Sequence, residues 1–207
     1  LFRSACQACG APDSKPAFDK SGLTYRVCGT CGSMFVSPRP TGARMSEHYR
    51  TSASAAFWRD QILPATREAR AIKLAEPRAD WVADGLAEHL RTAERGVDAS
   101  PAGTGVSEAL ASRRPDLRLT VVDANEGDWP GADGETDVVL AFDVLDRVAD
   151  LRGWVARAHA RLRSGGLLFA TAPCISGFDL QVLWERSETL TPPDKLNRSE
   201  EHTSELQ

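Results

Sequence analysis

The order of elements between Val97 and Asp123 restricts the fold of this chain more than any other stretch. Val97-Asp98-Ala99 reads as the end of a short apolar strand, Ser100-Pro101-Ala102-Gly103-Thr104-Gly105 as a tight loop of small residues, and Val106 to Ala111 as the first turns of a helix. Leu117 to Val122 then reads as a second strand, ending in Asp123. Strand, small-residue loop, helix, strand and terminal acid is the order in which α/β sheets hold nucleotide-type ligands. Bare backbone lets the ligand approach, and the acid accepts hydrogen bonds from ribose hydroxyls. Glycine at a helix boundary also has a plain backbone explanation, because it relieves strain where the chain turns. The acid, roughly 20 residues beyond the loop, tips the reading towards a cofactor site.

The rest of the C-terminal half repeats the alternation. Asn125 to Glu135, rich in Gly, Asp and Pro, reads as loop, and Asp137 to Phe142 as a buried strand that ends at Asp143 and runs on through Val144-Leu145-Asp146-Arg147-Val148. Leu151 to Leu162 is amphipathic, with Trp154, Val155, Ala158 and Leu162 inward. Ser164-Gly165-Gly166 is expected to stop that helix, and Leu167 to Thr171 to form the next strand. Strands and helices alternating at this spacing predict a parallel, doubly wound, Rossmann-like α/β sheet with helices on both faces. Ligands on such sheets sit at the carboxyl ends of the strands, where Asp98, Asp123 and Asp143 fall.

The N-terminal stretch has a different grammar. Cys6-Gln7-Ala8-Cys9 and Cys28-Gly29-Thr30-Cys31 are two Cys-x-x-Cys knuckles with 18 residues between them, and Gly10 and Gly32 follow the second cysteine of each. Four thiolates so spaced close a tetrahedral zinc site with no open position for water or substrate, which is a structural role. Two disulfides are the alternative, disfavoured in an intracellular setting. Metal binding on the order of 10 kcal/mol would hold together a ribbon of about 40 residues with little core of its own. Between the knuckles only Lys15, Lys20 and Arg26 are basic, too scattered for a phosphate-tracking stripe, and the net charge of −4 offers no general attraction to nucleic acid or anionic membrane. No apolar run approaches the roughly 18 residues needed to span a bilayer. Leu1-Phe2-Arg3-Ser4 lacks the apolar core of a signal peptide, so a cytoplasmic location is expected.

Phe35 to Thr41 leaves the ribbon as an extended, proline-stiffened connector, and from about Gly42 to Thr92 the pattern is helical, with breaks expected at Pro64 and Pro77. The division expected is a zinc ribbon over 1–41, a helical linker over 42–92, and a sheet domain over 93–197. Arg67, Arg70 and Arg78 are placed on a solvated outer helical face, the reading preferred over contact with an anionic ligand. Residues 198–207, Arg-Ser-Glu-Glu-His-Thr-Ser-Glu-Leu-Gln, resemble the in-frame translation of a sequencing-library adapter. On that reading the natural sequence runs to Asn197 and the sheet domain is truncated at its C-terminus.

Taken together, the chain resembles the class I S-adenosylmethionine-dependent methyltransferases, specifically a bacterial group with an N-terminal zinc ribbon. The residues that carry the resemblance are the four cysteines, Pro38-Arg39-Pro40-Thr41, Asp137 to Val148, Arg163 to Leu168, Gly177 to Trp184 and Pro192 to Asn197. It implies that the loop from Asp98 to Gly105, with Gly103 and Gly105, lies against the methionine part of the cofactor. It also implies that Asp123 takes the ribose hydroxyls and that Asp143 with Val144 lines the methyl-transfer face. The acceptor class implied is a small molecule or a saccharide intermediate. Three departures separate this chain from the family pattern: Ser100, Pro101 and Ala102 stand among the loop glycines, the link from Asp123 to Asp137 is short, and Asp146-Arg147 and Lys195 replace Glu-His and His. They motivate a second reading, a methyltransferase-like protein without activity that serves as a binding or assembly partner. His48, His89 and His159 lie in helical patterns and none is assigned as a base, and Cys174 reads as an inert thiol.

Overall fold

A computed structural model of the chain describes residues 2–101, 103–126 and 129–200. Ala102 of the small-residue loop and residues 201–207 of the adapter-like tail lie outside the described residues. Among the described residues, two four-stranded sheets organise the fold. The first is antiparallel. It begins with β1 (Ser14–Lys20) and β2 (Leu23–Cys28), joined through Ser21-Gly22, both at positive φ, the two-residue turn that matches strand twist. β3 (Met34–Val36) pairs with β2, and β8 (Asn197–Arg198) returns from the far end of the chain to pair with Met34 and Phe35.

The helical stretch runs from Gly42 to His89 as α1 (Gly42–Thr51), α2 (Ala53–Phe57), α3 (Leu63–Arg70) and α4 (Glu76–His89). Neither proline ends the helical path. A π-helical turn stands directly before each, over Trp58–Ile62 and Ala71–Ala75, so that the amides of Leu63 and Glu76 reach back five residues, to the carbonyls of Trp58 and Ala71. A proline ring clashes with the carbonyl four residues earlier, here that of Asp60 or Lys73, and a widened turn moves that carbonyl aside. The expected breaks are therefore changes of helical register.

The second sheet is parallel, in the order β5-β4-β6-β7, from β4 (Arg95–Asp98), β5 (Arg118–Val121), β6 (Thr136–Phe142) and β7 (Leu162–Thr171). All seven residues of β6 are buried, and the pleat sorts them by parity. Val138, Leu140 and Phe142 pack with α4 and with α5 (Val106–Arg113), whereas Val139 and Ala141 pack with α6 (Leu151–Arg161). This is the α/β sheet covered on both faces that the alternation predicts. Ala79, Val82 and Leu86 place α4 inside the sheet's own core.

One boundary differs from the expectation. The glycine pair Gly165-Gly166 does not separate helix from strand; α6 stops at Arg161 and β7 begins at once. Pairing jumps from Thr136–Leu162 to Val138–Leu167, and the extra residues form a bulge in which Gly165 takes φ +76°. The bulge lets Arg163 Nε donate to Asp137 Oδ1 at 2.5 Å.

The two sheets share a boundary. Tyr25, Met34 and Val36 of the ribbon pack with Met45, Ala149, Leu180, Leu190 and Leu196. Arg39 is fully buried here and donates from Nη2 to the Val148 carbonyl (3.1 Å) and to Asn197 Oδ1 (2.9 Å), while Asn197 Nδ2 donates to the carbonyls of Leu145 and Val148. Burial pushes the Arg39 pKa down to about 10, against the opposing charge of Asp150.

Candidate functional site

Strand order locates the site. The chain runs from β4 outward to β5, then crosses back over β4 to β6, so the order reverses between β4 and β6, and a crevice at the carboxyl ends of strands opens at such a point. Asp98 ends β4 in register with Val121 and Leu140; Asp123 and Asp143 lie just beyond those two residues. The three acids thus share one edge of the sheet, but they are not equivalent.

Asp98 is buried and spends both oxygens on its own loop. Oδ1 accepts from the Ser100 amide at 2.9 Å and Oδ2 from the Ser107 hydroxyl, while Ser100 Oγ accepts from the Phe142 amide at 3.1 Å. Asp98 therefore shapes the loop. Gly103 and Gly105 take φ +84° and +70°. At Gly103 a β-carbon would meet Leu63 Cδ2 at 2.6 Å, and Arg70 donates from Nε and Nη2 to the Gly103 carbonyl at 3.2 and 3.0 Å. The helical arm, through α3, lies directly on the glycine loop.

Asp123 is exposed and opens onto a cleft of about 750 Å³, lined by Ala43, Ser46, Glu47, Tyr49, Arg50, Asn125 and Glu126. Its Oδ2 accepts from Ser46 Oγ at 3.1 Å and its Oδ1 from the Asn125 amide at 2.8 Å, so the carboxylate is held from two sides and keeps acceptor capacity facing the cleft. Asn125 in turn accepts from the Ala149 amide at 3.0 Å. At the neighbouring strand end Asp143 takes φ +57° and forms a two-bond pair with Arg78, Nη1 to Oδ2 at 2.9 Å and Nη2 to Oδ1 at 3.2 Å. Thr171 completes it: its hydroxyl accepts from the Asp143 amide and donates to Oδ1. The Val144 side chain is buried among Val139, Ala141, Val148 and Trp154 and is not one of the residues that line the cleft.

In the ribbon, the sulfurs of Cys6, Cys9, Cys28 and Cys31 all lie within 4.8 Å of one another. Cys6 to Cys31 and Cys9 to Cys28 are each 3.6 Å, too long for a disulfide bond and close to the ~3.8 Å edge of a tetrahedron with metal–sulfur bonds of about 2.3 Å. Gly10 and Gly32 close the knuckles at positive φ, donating to the carbonyls of Cys6 (2.9 Å) and Cys28 (3.1 Å). Burial pushes the Cys6 thiol up to about 12. Four free thiols that crowd at this spacing are a donor set suited to a divalent metal that displaces their protons.

A known methyltransferase domain matches residues 76–201, from the start of α4 past the last strand and over more than half of the chain. The chain belongs to the methyltransferase domain family. It is 32% identical over 129 residues to the ubiquinone biosynthesis O-methyltransferase of Methylocella silvestris, an alignment that takes in 61% of this chain and 47% of that protein. The chain thus spans about half the length of the curated relative it matches. Among solved structures it is similar to an S-adenosylmethionine-dependent methyltransferase of Thermotoga maritima (14% identity, TM-score 0.43, 70% of this chain and 73% of that one). It is also similar to the 1,6-didemethyltoxoflavin N1-methyltransferase of Burkholderia thailandensis (16%, 0.40, 79% and 75%).

Within this methyltransferase domain the sequence placed the acids correctly on one edge of the sheet and misjudged one of the cations. Arg78 pairs with Asp143 and is largely buried. The signal was present: Ala75, Arg78, Ala79, Val82 and Leu86 fall on one helical stripe, and a cation among buried positions on such a stripe points to an inward partner. Ser46 and Leu63 carried no such signal, because only the fold brings them to Asp123 and Gly103. Among the described residues, no helix is long and apolar enough to cross a membrane.

Proposed function

We propose that this chain is an S-adenosylmethionine-dependent methyltransferase that acts on a small-molecule acceptor, and that its four-cysteine cluster holds one structural zinc ion. The observation that carries the reading is membership of the methyltransferase domain family, together with an exposed acid, Asp123, on an open cleft at the carboxyl edge of the sheet, just beyond β5. The donor set fits the cofactor. Asp123 has free acceptor capacity for ribose hydroxyls, whereas the Asp143 carboxylate is already paired with Arg78. Bound S-adenosylmethionine supplies an already activated methyl group on a sulfonium. The protein's task is then to hold the acceptor in line, with a base needed only where the acceptor must lose a proton. A small-molecule acceptor is favoured by the likeness to a ubiquinone biosynthesis O-methyltransferase; a saccharide intermediate belongs to the same class of reading.

Asp123→Ala tests the site. Calorimetric titration of S-adenosylhomocysteine should show affinity weakened by about 1.5–3 kcal/mol, the scale of hydrogen bonds to a charged group, at unchanged thermal stability. Equal affinity in the variant would remove Asp123 from the cofactor site. One observation favours a second reading, a binding protein without activity. Leu63 and Arg70 already occupy the glycine loop, which gives Gly103 a packing role of its own. A folded, zinc-loaded chain that does not bind S-adenosylhomocysteine would favour this second reading.

A further inference from the structure

The first cysteine knuckle is seated on the sheet domain at the segment that follows the cofactor edge. Gln7 lies between Cys6 and Cys9. Its Nε2 donates to the Ala5 carbonyl at 3.2 Å, and its Oε1 accepts from the amide of Leu151, the first residue of α6, at 3.2 Å. The opening amides of a helix have no partner within the helix, so each needs an acceptor from outside. Asp150 serves Gly153 through its side chain and Trp154 through its carbonyl, and Gln7 serves Leu151. Beside it, Arg152 lies against Gly10 and donates to the Ala8 carbonyl at 3.4 Å. The segment 143–150, which begins at Asp143, leads directly into α6. From it the Ala149 amide bonds Asn125, and the Asn125 amide bonds Asp123. A continuous set of contacts therefore joins the knuckle to the acid on the cleft.

We infer that Gln7 is a positioning residue through which the cysteine cluster clamps the N-terminus of α6, so that metal occupancy in the ribbon is coupled to the geometry of the 143–150 segment and to cofactor affinity at Asp123. This rests on the zinc and methyltransferase readings above. A knuckle wrapped on a metal holds Gln7 at a fixed height over Leu151. Without the metal, the turn between Cys6 and Cys9 loses the constraint that aims the side chain.

The 207-residue chain, loaded with zinc and verified by metal analysis, would be compared with its chelated form and with Gln7→Ala, Gln7→Met and Gln7→Glu at full zinc content. The first readout is hydrogen exchange at the Leu151 amide and across 143–150, and the second is calorimetric affinity for S-adenosylhomocysteine. Gln7→Ala and Gln7→Met should speed exchange at Leu151 about fivefold, the factor one net hydrogen bond is worth, and weaken ligand affinity in the same direction. Gln7→Glu, which keeps the acceptor oxygen, should return both towards wild type, and chelation should reproduce the Gln7→Ala pattern. Unchanged exchange and affinity in Gln7→Ala overturn the clamp even if zinc is present. A wild-type protein that binds no zinc overturns the metal coupling and the zinc reading together. Loss of ligand binding in every form, with the exchange differences intact, would overturn the link to cofactor affinity and the methyltransferase reading while leaving the contact in place.

Discussion

Asp137 stands at the opposite edge of the sheet from the cleft, and its replacement separates stability from function. Its carboxylate is mostly buried; Oδ2 accepts from the amides of Glu94 and Arg95 at 2.8 and 2.9 Å, and Oδ1 accepts from Arg163 Nε at 2.5 Å. Burial alone would raise its pKa, yet Arg163 and the two amides outweigh it and hold the group below its ordinary value. Hydrogen bonds to a charged acceptor contribute about 1.5–3 kcal/mol each, but Glu94 and Arg95 are exposed residues whose amides water can partly recover, and Arg163 is about a third exposed. Asp137→Ala should therefore cost about 2–4 kcal/mol, a fall in melting temperature of about 6–12 °C for a chain of this size. A group whose folded-state pKa is depressed contributes stability that is present above its unfolded pKa and is lost as pH falls through the folded value. The gap between wild type and variant should thus be full at pH 7 and shrink below about pH 4, near the unfolded carboxylate's pKa. Thermal unfolding followed by circular dichroism across that range is the assay, with S-adenosylhomocysteine affinity per folded molecule expected unchanged. A loss under 1 kcal/mol, or a gap that widens on acidification, would refute the account.

Gly103→Ala places a methyl group against Leu63 in a left-handed backbone and should destabilise by about 1–3 kcal/mol; in Gly103→Ala/Leu63→Ala the methyl clash goes but the backbone strain stays, so a double-mutant cycle should recover only part of the loss. Metal analysis should return one zinc per chain, and a strong chelator should lower the melting temperature and expose the ribbon to protease; a metal-free chain of unchanged stability would refute the zinc assignment.

The features that the sequence revealed are those whose cause is local. Two knuckles spaced Cys-x-x-Cys-Gly bring their own sulfurs together because the turn is written in adjacent residues, and the pairing of the knuckles needs only one hairpin. Strand, loop, helix and strand around Asp98 and Asp123 follow from periodicity and turn residues, and the parity of β6 follows from the pleat. Prolines 64 and 77 mark the right places in the sequence, but whether a helix stops or widens there depends on what lies against it, and α3 and α4 continue because they cover the glycine loop and the sheet. The roles of the three acids were likewise beyond reach. Asp98, Asp123 and Asp143 look alike in sequence, yet one is spent on its own loop, one faces an open cleft and one is tied to an arginine 65 residues away. The bonds of buried Arg39 to Val148 and Asn197 and the seating of Gln7 on α6 join segments more than a hundred residues apart. A short-range code can specify where a carboxylate or a thiol sits along the chain. Which partner satisfies it, and so which charge remains free for a ligand, is decided only when packing brings distant segments together.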